Sequence, residues 1–248
     1  MIDRERIDLE PGLLLHRRPY RDNSLLLEVF TASHGRTGLV ARGGRGGRGR
    51  GQGLLQPFQP LLLSWRRHGE LGTLTGAEAQ GSVLALKGLA LFSGFYVNEL
   101  MLRLLRRDDP HPELFELYHQ TLKALARAGE TDPQPVLRLF EKRLLEGLGY
   151  GLLLDVEADS GMPVEAGARY RYELERGPVR DAGIGSEGIQ GASLLALARE
   201  NLEDERTLQE CRRLLRRALA LYLGDRPLKT REVLAALLRS KTRSPTTP

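Results

Sequence analysis

Short apolar runs separated by turn-like segments dominate residues 12 to 79 of the chain. The runs are bounded by clusters of Gly, Pro, Asn, Asp, Ser and Arg, which favour strands joined by turns over helices. The predicted strands cover 13–17, 24–31, 37–42, 58–65 and 70–77, and residues 66–69 join the last two. Short strands at this density, with one long loop among them, are typical of a small closed barrel rather than a sandwich.

Beyond Gly81 the apolar residues recur at the three- and four-residue spacing of helices. Predicted helices cover 84–105, 110–128, 135–148, 191–200, 205–223 and 230–239. Thr230 suits the N-cap of the last helix. Asn98 and Glu99 interrupt the first helix, which is otherwise apolar. We therefore expect both to find hydrogen-bond partners between the barrel and the helices, because buried polar groups need them.

These patterns predict an α+β protein with an N-terminal barrel and a mainly helical C-terminal part. We place the barrel domain at 1–80 and the helical domain at 81–239. Within the helical domain, 151–190 is rich in glycine and has one possible strand at 169–174, which indicates a small irregular module. Residues 240–248 contain no apolar side chain other than proline, so we expect a disordered tail.

The composition is that of a globular chain with a modest positive charge: 248 residues, 41% of them hydrophobic, and a net charge of +5. The first ten residues are largely charged, so we expect no signal peptide. Charged and amide side chains interrupt the most apolar stretch, 84–105, so we expect no membrane span. Cys211 is the only cysteine, which excludes an internal disulfide and a multi-cysteine zinc site. We expect a cytoplasmic protein.

Residues 42–51 form a loop of alternating glycine and arginine between two predicted strands. Arginine presents a planar fork of donors that suits phosphate oxygens, and glycine lets the backbone approach a ligand closely. No Asp or Glu occurs between Glu28 and Glu70, so the segment predicts a surface for a polyanion, with nucleic acid as the first candidate. The predicted phosphate contacts are Arg36, Arg42, Arg45, Arg48, Arg50, Arg66 and Arg67. The alternative is a solvated loop that contacts nothing.

Two further sets of side chains extend this prediction. Trp65 stands beside the charged residues 66–68, so its ring is expected either to stack on a base or to pack in the barrel core. On the predicted helix at 205–223, arginines recur with i, i+4 spacing at Arg212, Arg213, Arg216 and Arg217. They predict either a second DNA-contact surface or an ordinary solvated helix face.

Blocks of distinctive sequence lie at 13–25, 29–36, 55–61, 69–74, 94–100, 139–151 and 223–232, the last reading LGDRPLKTRE. In the same order and over nearly the whole length, they resemble the bacterial recombination mediator family RecO. The resemblance implies an OB-fold followed by a helical region, binding of single- and double-stranded DNA, and annealing of complementary strands. It also implies RecR and the C-terminal tail of single-stranded DNA-binding protein as partners, indirect help to RecA, and association with the nucleoid.

The resemblance points to a partner site on the predicted helix at 135–148. Arg138, beside Leu137 and Phe140, matches the family's stretch around the pocket for the acidic tail of single-stranded DNA-binding protein. An arginine at an apolar groove suits a terminal carboxylate. The family's second arginine is replaced here by Leu139. The alternative interpretation of Arg138 is an exposed helix arginine.

Two departures from the family pattern accompany the resemblance. Many members carry a four-cysteine zinc module between the helical segments, whereas 151–190 contains no cysteine. The family's basic loop after the third strand mixes lysine, serine and arginine, whereas this chain has the glycine–arginine repeat. We therefore expect no zinc in the module, while the positive charge of the loop is retained.

The sequence contains no recognisable catalytic motif. The histidines are scattered, Asp108 and Asp109 precede a proline and indicate a helix start, and neither a P-loop nor a nucleophile elbow occurs. We expect no catalytic residue, no metal site and no cofactor. The alternatives left open are an RNA-binding OB-fold protein, a metal-dependent nuclease and a scaffold that binds only proteins.

Overall fold

The structure, a computed structural model, describes residues 5–43, 52–129, 131–181 and 188–234. The chain divides into two compact units, which we call unit 1 (Met1–Thr131 with Pro227–Pro248) and unit 2 (Asp132–Arg226). The domain boundaries expected after residues 80 and 239 stay a prediction. The expected tail at 240–248 lies outside the described residues.

Unit 1 begins with a five-stranded closed barrel, as the apolar runs predict. Its strands are β1 (Arg6–Tyr20), β2 (Ser24–Thr31), β3 (Gly35–Arg42), β4 (Pro60–His68) and β5 (Leu71–Ala79), and a short 3-10 helix, Gln52–Leu54, precedes β4. The strand order around the barrel is β1-β2-β3-β5-β4. β3 and β5 run parallel and the other pairs run antiparallel.

Two barrel strands are longer than the sequence pattern indicates. β1 begins at Arg6 because it pairs with two strands, β4 along its first part and β2 along its second. Its charged first residues are in the part that pairs only with β4. Residues 66–68 continue β4 and are not a turn, with Arg66 paired to Thr73 on β5. The prediction of a connecting segment at 66–69 was wrong, because Arg66 lies on the exposed side of the strand and the charge of Arg67 is paired with Asp108.

The buried barrel core is made of residues from β1, β2, β3 and β4, among them Leu14, Leu27, Leu39 and Leu63, together with Trp65. These side chains are fully shielded from solvent. Gly72 leaves room for the indole, since a Cβ at this position would stand 2.8 Å from a carbon of the Trp65 ring.

Two helices of unit 1 pack against the barrel: α1 (Gly88–Leu104) and α2 (Pro112–Ala128). The prediction for Asn98 is confirmed. Its amide nitrogen donates to the Leu15 carbonyl of β1 at 3.0 Å, and its oxygen accepts from the Tyr118 hydroxyl of α2 at 2.7 Å. The ring of Phe30 on β2 packs edge-on against the Tyr118 ring, so an apolar side chain lies beside this hydrogen-bond network.

Glu99 has partners in a different place from the one predicted. Residues 229–234 are helical, and the Glu99 carboxylate accepts from the backbone nitrogens of Lys229 at 2.8 Å and Thr230 at 2.9 Å. The Thr230 hydroxyl also donates to it at 2.7 Å. The helix starts one residue earlier than predicted, so Thr230 is not its N-cap. A carboxylate from α1 binds the free N–H groups instead, as expected at a helix N-terminus.

Unit 2 consists of α3 (Gln134–Gly147), the strands β6 (Arg169–Glu173), β7 (Gly177–Arg180) and β8 (Ile189–Gln190), α4 (Gly191–Ala198) and α5 (Glu205–Leu223). α3 and α4 both pack on α5. Asp204 caps α5, since its carboxylate accepts from the Thr207 nitrogen at 2.9 Å. The module at 151–190 is more ordered than predicted, because β6 pairs on both sides to give a sheet of order β7-β6-β8.

Candidate nucleic-acid interface

The outward residues of the barrel form rows across its strands, because directly paired residues place their side chains on the same side of a sheet. Leu27, Ala41 and Trp65 belong to the core, so their neighbours along these strands point outward. The register gives one row of Arg18, Leu26, Val40, Thr73 and Arg66, and beside it a shorter row of Tyr20, Ser24 and Arg42. We call these eight residues the open face.

The open face is basic at its rim and apolar at its centre. Arg18, Arg42 and Arg66 are exposed, whereas Val40 is half-buried and Leu26 is buried. At about 4.8 Å per strand, the longer row follows the curved wall of the barrel for about 19 Å from Arg18 to Arg66. Guanidinium groups around a partly apolar surface can hold phosphates at the edge while bases lie over the middle.

Tyr20 supplies an aromatic ring at one edge of the open face. The guanidinium of Arg21, in the turn between β1 and β2, lies 5.2 Å from the centre of the Tyr20 ring. A ring held in this way presents a surface on which a base can stack. The sequence pattern did not single out Arg18, although the short turn between two apolar runs would have placed it beside β2.

The opposite end of β3 is covered rather than open. Arg36 donates through Nη1 to the Leu102 carbonyl of α1, and its Nε lies 3.7 Å from an oxygen of Glu28. Arg107, which follows α1, forms a second ion pair with Glu28. Burial lowers the pKa of the Arg36 guanidinium, and the Glu28 carboxylate opposes that effect.

Arg67 is engaged in the same region. It forms an ion pair with Asp108, whose backbone nitrogen donates to the Arg36 carbonyl at 2.9 Å. We call Glu28, Arg36, Arg67, Arg107 and Asp108 the covered end. The structure therefore assigns two predicted phosphate contacts, Arg36 and Arg67, to ion pairs within the protein. Asp108 acts here as an ion-pair partner, in addition to standing before α2.

The prediction that Trp65 stacks on a base is corrected by the structure. Its ring is 0% exposed and lies against the His34 ring, with 5.2 Å between the ring centres. Alternation along β4 turns Trp65 inward and Arg66 outward. The core interpretation, which the sequence also allowed, is the correct one.

The remaining predicted contacts fall into two groups. Arg45, Arg48 and Arg50 lie outside the described residues, between Gly43 at the end of β3 and Gln52. Arg42, the last residue of β3, stands two positions before that part of the chain and is exposed.

The four arginines of α5 stand on its exposed side in unit 2. Arg212, Arg213, Arg216 and Arg217 are all solvent-exposed, while Leu214 and Leu215 between them are buried. Among the residues that the structure describes, none of the four arginines forms an ion pair. Their charge is therefore available to a ligand.

The sequence comparisons decide the family. The family model "Recombination protein O N terminal" matches residues 8–83, and "Recombination protein O C terminal" matches residues 86–232. The DNA repair protein RecO of Alkalilimnicola ehrlichii is 50% identical over 249 residues and covers 98% of both chains. That of Nitrosococcus oceani is 51% identical over 236 residues, covering 94% of this chain and 95% of its own. The chain belongs to the RecO family.

Within this RecO family member, the predicted site for an acidic tail is closed. The side chain of Arg138 is 5% exposed and its Nη2 donates to Oε1 of Glu141 at 2.8 Å. Leu137 and Phe140 are buried as well. The alternative of an exposed helix arginine is therefore wrong. Binding of a terminal carboxylate stays a prediction.

The zinc module of many RecO proteins does not fit the residues of this chain. Residues 151–190 contain neither Cys nor His, the ligands on which structural zinc sites depend. In this chain the Glu157 carboxylate connects the parts of the module instead. It accepts from the Ser160 hydroxyl at 2.6 Å, the Tyr170 hydroxyl at 2.9 Å and the Arg180 guanidinium at 3.0 Å. These bonds, that of Ser160 first, lower the pKa of Glu157.

Within the described ranges, no helix has both the length and the apolar character needed to cross a bilayer.

Proposed function

We propose that this RecO family member acts in DNA repair as a non-enzymatic recombination mediator. It binds single- and double-stranded DNA and anneals complementary strands. With RecR it helps RecA to load onto DNA coated by single-stranded DNA-binding protein. The observation that carries the proposal is the open face, where three exposed arginines stand at the ends of two rows of outward residues on an OB-like barrel. The names of the curated relatives, DNA repair protein RecO, support the process assigned.

Annealing needs no bond chemistry. Two single strands repel each other through their phosphates, and this repulsion weakens when arginines neutralise part of the charge. A protein that holds both strands also raises their local concentration, so complementary segments meet more often. The open face supplies the charge in unit 1, and the arginines of α5 supply it in unit 2.

The open face is tested by replacing its three arginines together, as R18A/R42A/R66A. Binding of a labelled single-stranded oligonucleotide is measured by fluorescence anisotropy over a range of salt concentrations. Each lost phosphate contact flattens the salt dependence by about 0.7, so we expect a slope smaller by about 2 and weaker binding to every sequence. The variant should also anneal complementary strands more slowly, with and without single-stranded DNA-binding protein.

A control with the same loss of charge separates the open face from net charge. K87A/R106A/R127A removes three exposed basic residues of unit 1 that lie outside the barrel. We expect this control to keep the wild-type salt slope. Equal effects in the two variants would mean that net charge alone, and not the open face, determines binding. A wild-type protein without affinity for oligonucleotides would refute the proposed function.

A further inference from the structure

A cavity of about 320 Å³ lies in unit 2 beside α5. Its apolar floor is formed by Leu214 of α5, Ile189 of β8 and Tyr172 of β6. Arg213, Arg216 and Arg217 line the same cavity, together with Gly188 and Glu210. Small-molecule pockets occupy about 300–1,000 Å³, so this one suits a compact planar group rather than a helix or a folded segment.

The charge around the cavity is positive, because three arginines and only one carboxylate line it and that carboxylate is paired with a further arginine. Glu210 accepts from the Gln190 backbone nitrogen at 2.9 Å and from Nε of Arg206 at 3.3 Å. Arg206 is not among the residues lining the cavity. Arg217 makes one long hydrogen bond, 3.5 Å, to the Tyr172 carbonyl, which leaves most of its donors available. An apolar floor with cationic walls selects a ligand that has both a flat apolar part and negative charge.

We propose that this cavity receives one unstacked base of a single DNA strand, with Arg213, Arg216 and Arg217 on the flanking phosphates. Arg213 and Arg217 are about 6 Å apart along the helix axis, one turn of α5. Charges repeated at that interval match a ligand with repeated phosphates better than a single terminal carboxylate. Base faces pack well against tyrosine, aliphatic and guanidinium surfaces.

The inference rests on the proposed function and makes it more specific. It gives unit 2 a strand-binding site of its own, distinct from the open face of unit 1. A chain with two such sites can hold two single strands, which is what annealing requires.

The test compares R213A/R217A with R199A/R226A in the full-length chain. Both variants lose two exposed arginines from unit 2, but Arg199 and Arg226 neither line the cavity nor belong to the arginines of α5. An oligothymidylate containing one 4-thiothymidine is bound to each protein and irradiated, and the crosslinked peptides are identified by mass spectrometry. In the wild type and in R199A/R226A, we expect adducts within residues 169–217, at cavity residues such as Tyr172. In R213A/R217A that adduct should fall at least tenfold, and annealing should slow by a similar factor.

The outcomes separate this inference from the proposed function. Adducts confined to the barrel, or equal adduct yields in the two variants, would overturn the cavity site while leaving DNA binding intact. Loss of the cavity adduct in R18A/R42A/R66A as well would also overturn it, because the two sites would not be distinct. A wild-type protein that neither binds nor crosslinks DNA would refute the proposed function itself.

Discussion

Arg36 and Arg42 stand on the same strand and the same side of the barrel, yet they belong to different environments. Arg36 is at the covered end, where Glu28 lies 3.7 Å from its Nε and α1 provides a carbonyl acceptor. Arg42 is at the open face and exposed. Six positions along β3 therefore separate an arginine that stabilises the fold from one whose donors are available to a ligand.

The difference shows that the charge of a sequence segment does not give the charge of a surface. The stretch between Glu28 and Glu70 holds no acidic residue, which made its arginines look equivalent. The fold brings Glu28 from β2 and Asp108 from the region after α1 to one end of that stretch. Only the arginines that these carboxylates do not reach remain available for phosphates.

The largest expected difference between Arg36 and Arg42 is in the free energy of unfolding. Arg36→Ala leaves the Leu102 carbonyl without its donor and Glu28 with one ion-pair partner fewer, so we expect a loss of about 2 kcal/mol in the free energy of unfolding. Arg42→Ala should change that free energy by less than about 0.5 kcal/mol. Urea unfolding followed by tryptophan emission measures both, because the only tryptophan lies in the barrel core. Equal losses in the two variants would contradict the division of β3 into a covered and an open end.

An intermediate effect is expected from the glycine–arginine segment that follows β3 in the sequence. R45A/R48A/R50A should weaken oligonucleotide binding evenly across sequences and flatten the salt slope by up to about 2, since each lost contact is worth about 0.7. Its unfolding free energy should stay that of the wild type. An unchanged salt slope would remove the segment from the binding site and leave the described open face to act alone.

The smallest effect concerns tryptophan emission. Because Trp65 is fully buried, single-stranded DNA should leave its emission intensity and maximum unchanged. Tyr20→Trp adds a second indole at the open face, and oligonucleotide should quench this added emission by stacking. Strong quenching in the wild type would mean that the barrel opens around Trp65 on binding. Absence of quenching in the variant would remove Tyr20 from the interface.

Much of the architecture was predictable because it follows local chemistry. The bounds of β2 and α5 match the apolar pattern, since turn residues and an Asp cap mark their ends. The start of β1 was not predictable in this way. Its charged residues become strand only through pairing with β4, which is far away in sequence. The partner of Glu99, 130 positions away, was hidden for the same reason.

The sequence predicted the basic character of the candidate site but not which residues form it. Arginine-rich composition indicated a polyanion surface, and Arg42 and Arg66 are exposed on it. The separation of Trp65 from Arg66 needed the strand register, because a shift of one residue exchanges the inside and the outside of a barrel. The cavity of unit 2 is lined by residues of β6, β8 and α5, which are far apart in the sequence, so no contiguous motif predicts it.

The hydrogen-bond partners of Glu99 are synthesised much later than Glu99 itself. A ribosome delivers α1 long before it delivers Lys229 and Thr230, whose N–H groups Glu99 accepts. During that interval water must solvate the carboxylate. Every residue of unit 2 is therefore translated before unit 1 acquires its last helical turns. A nascent chain that stalls within α5 would carry a barrel without this closing contact.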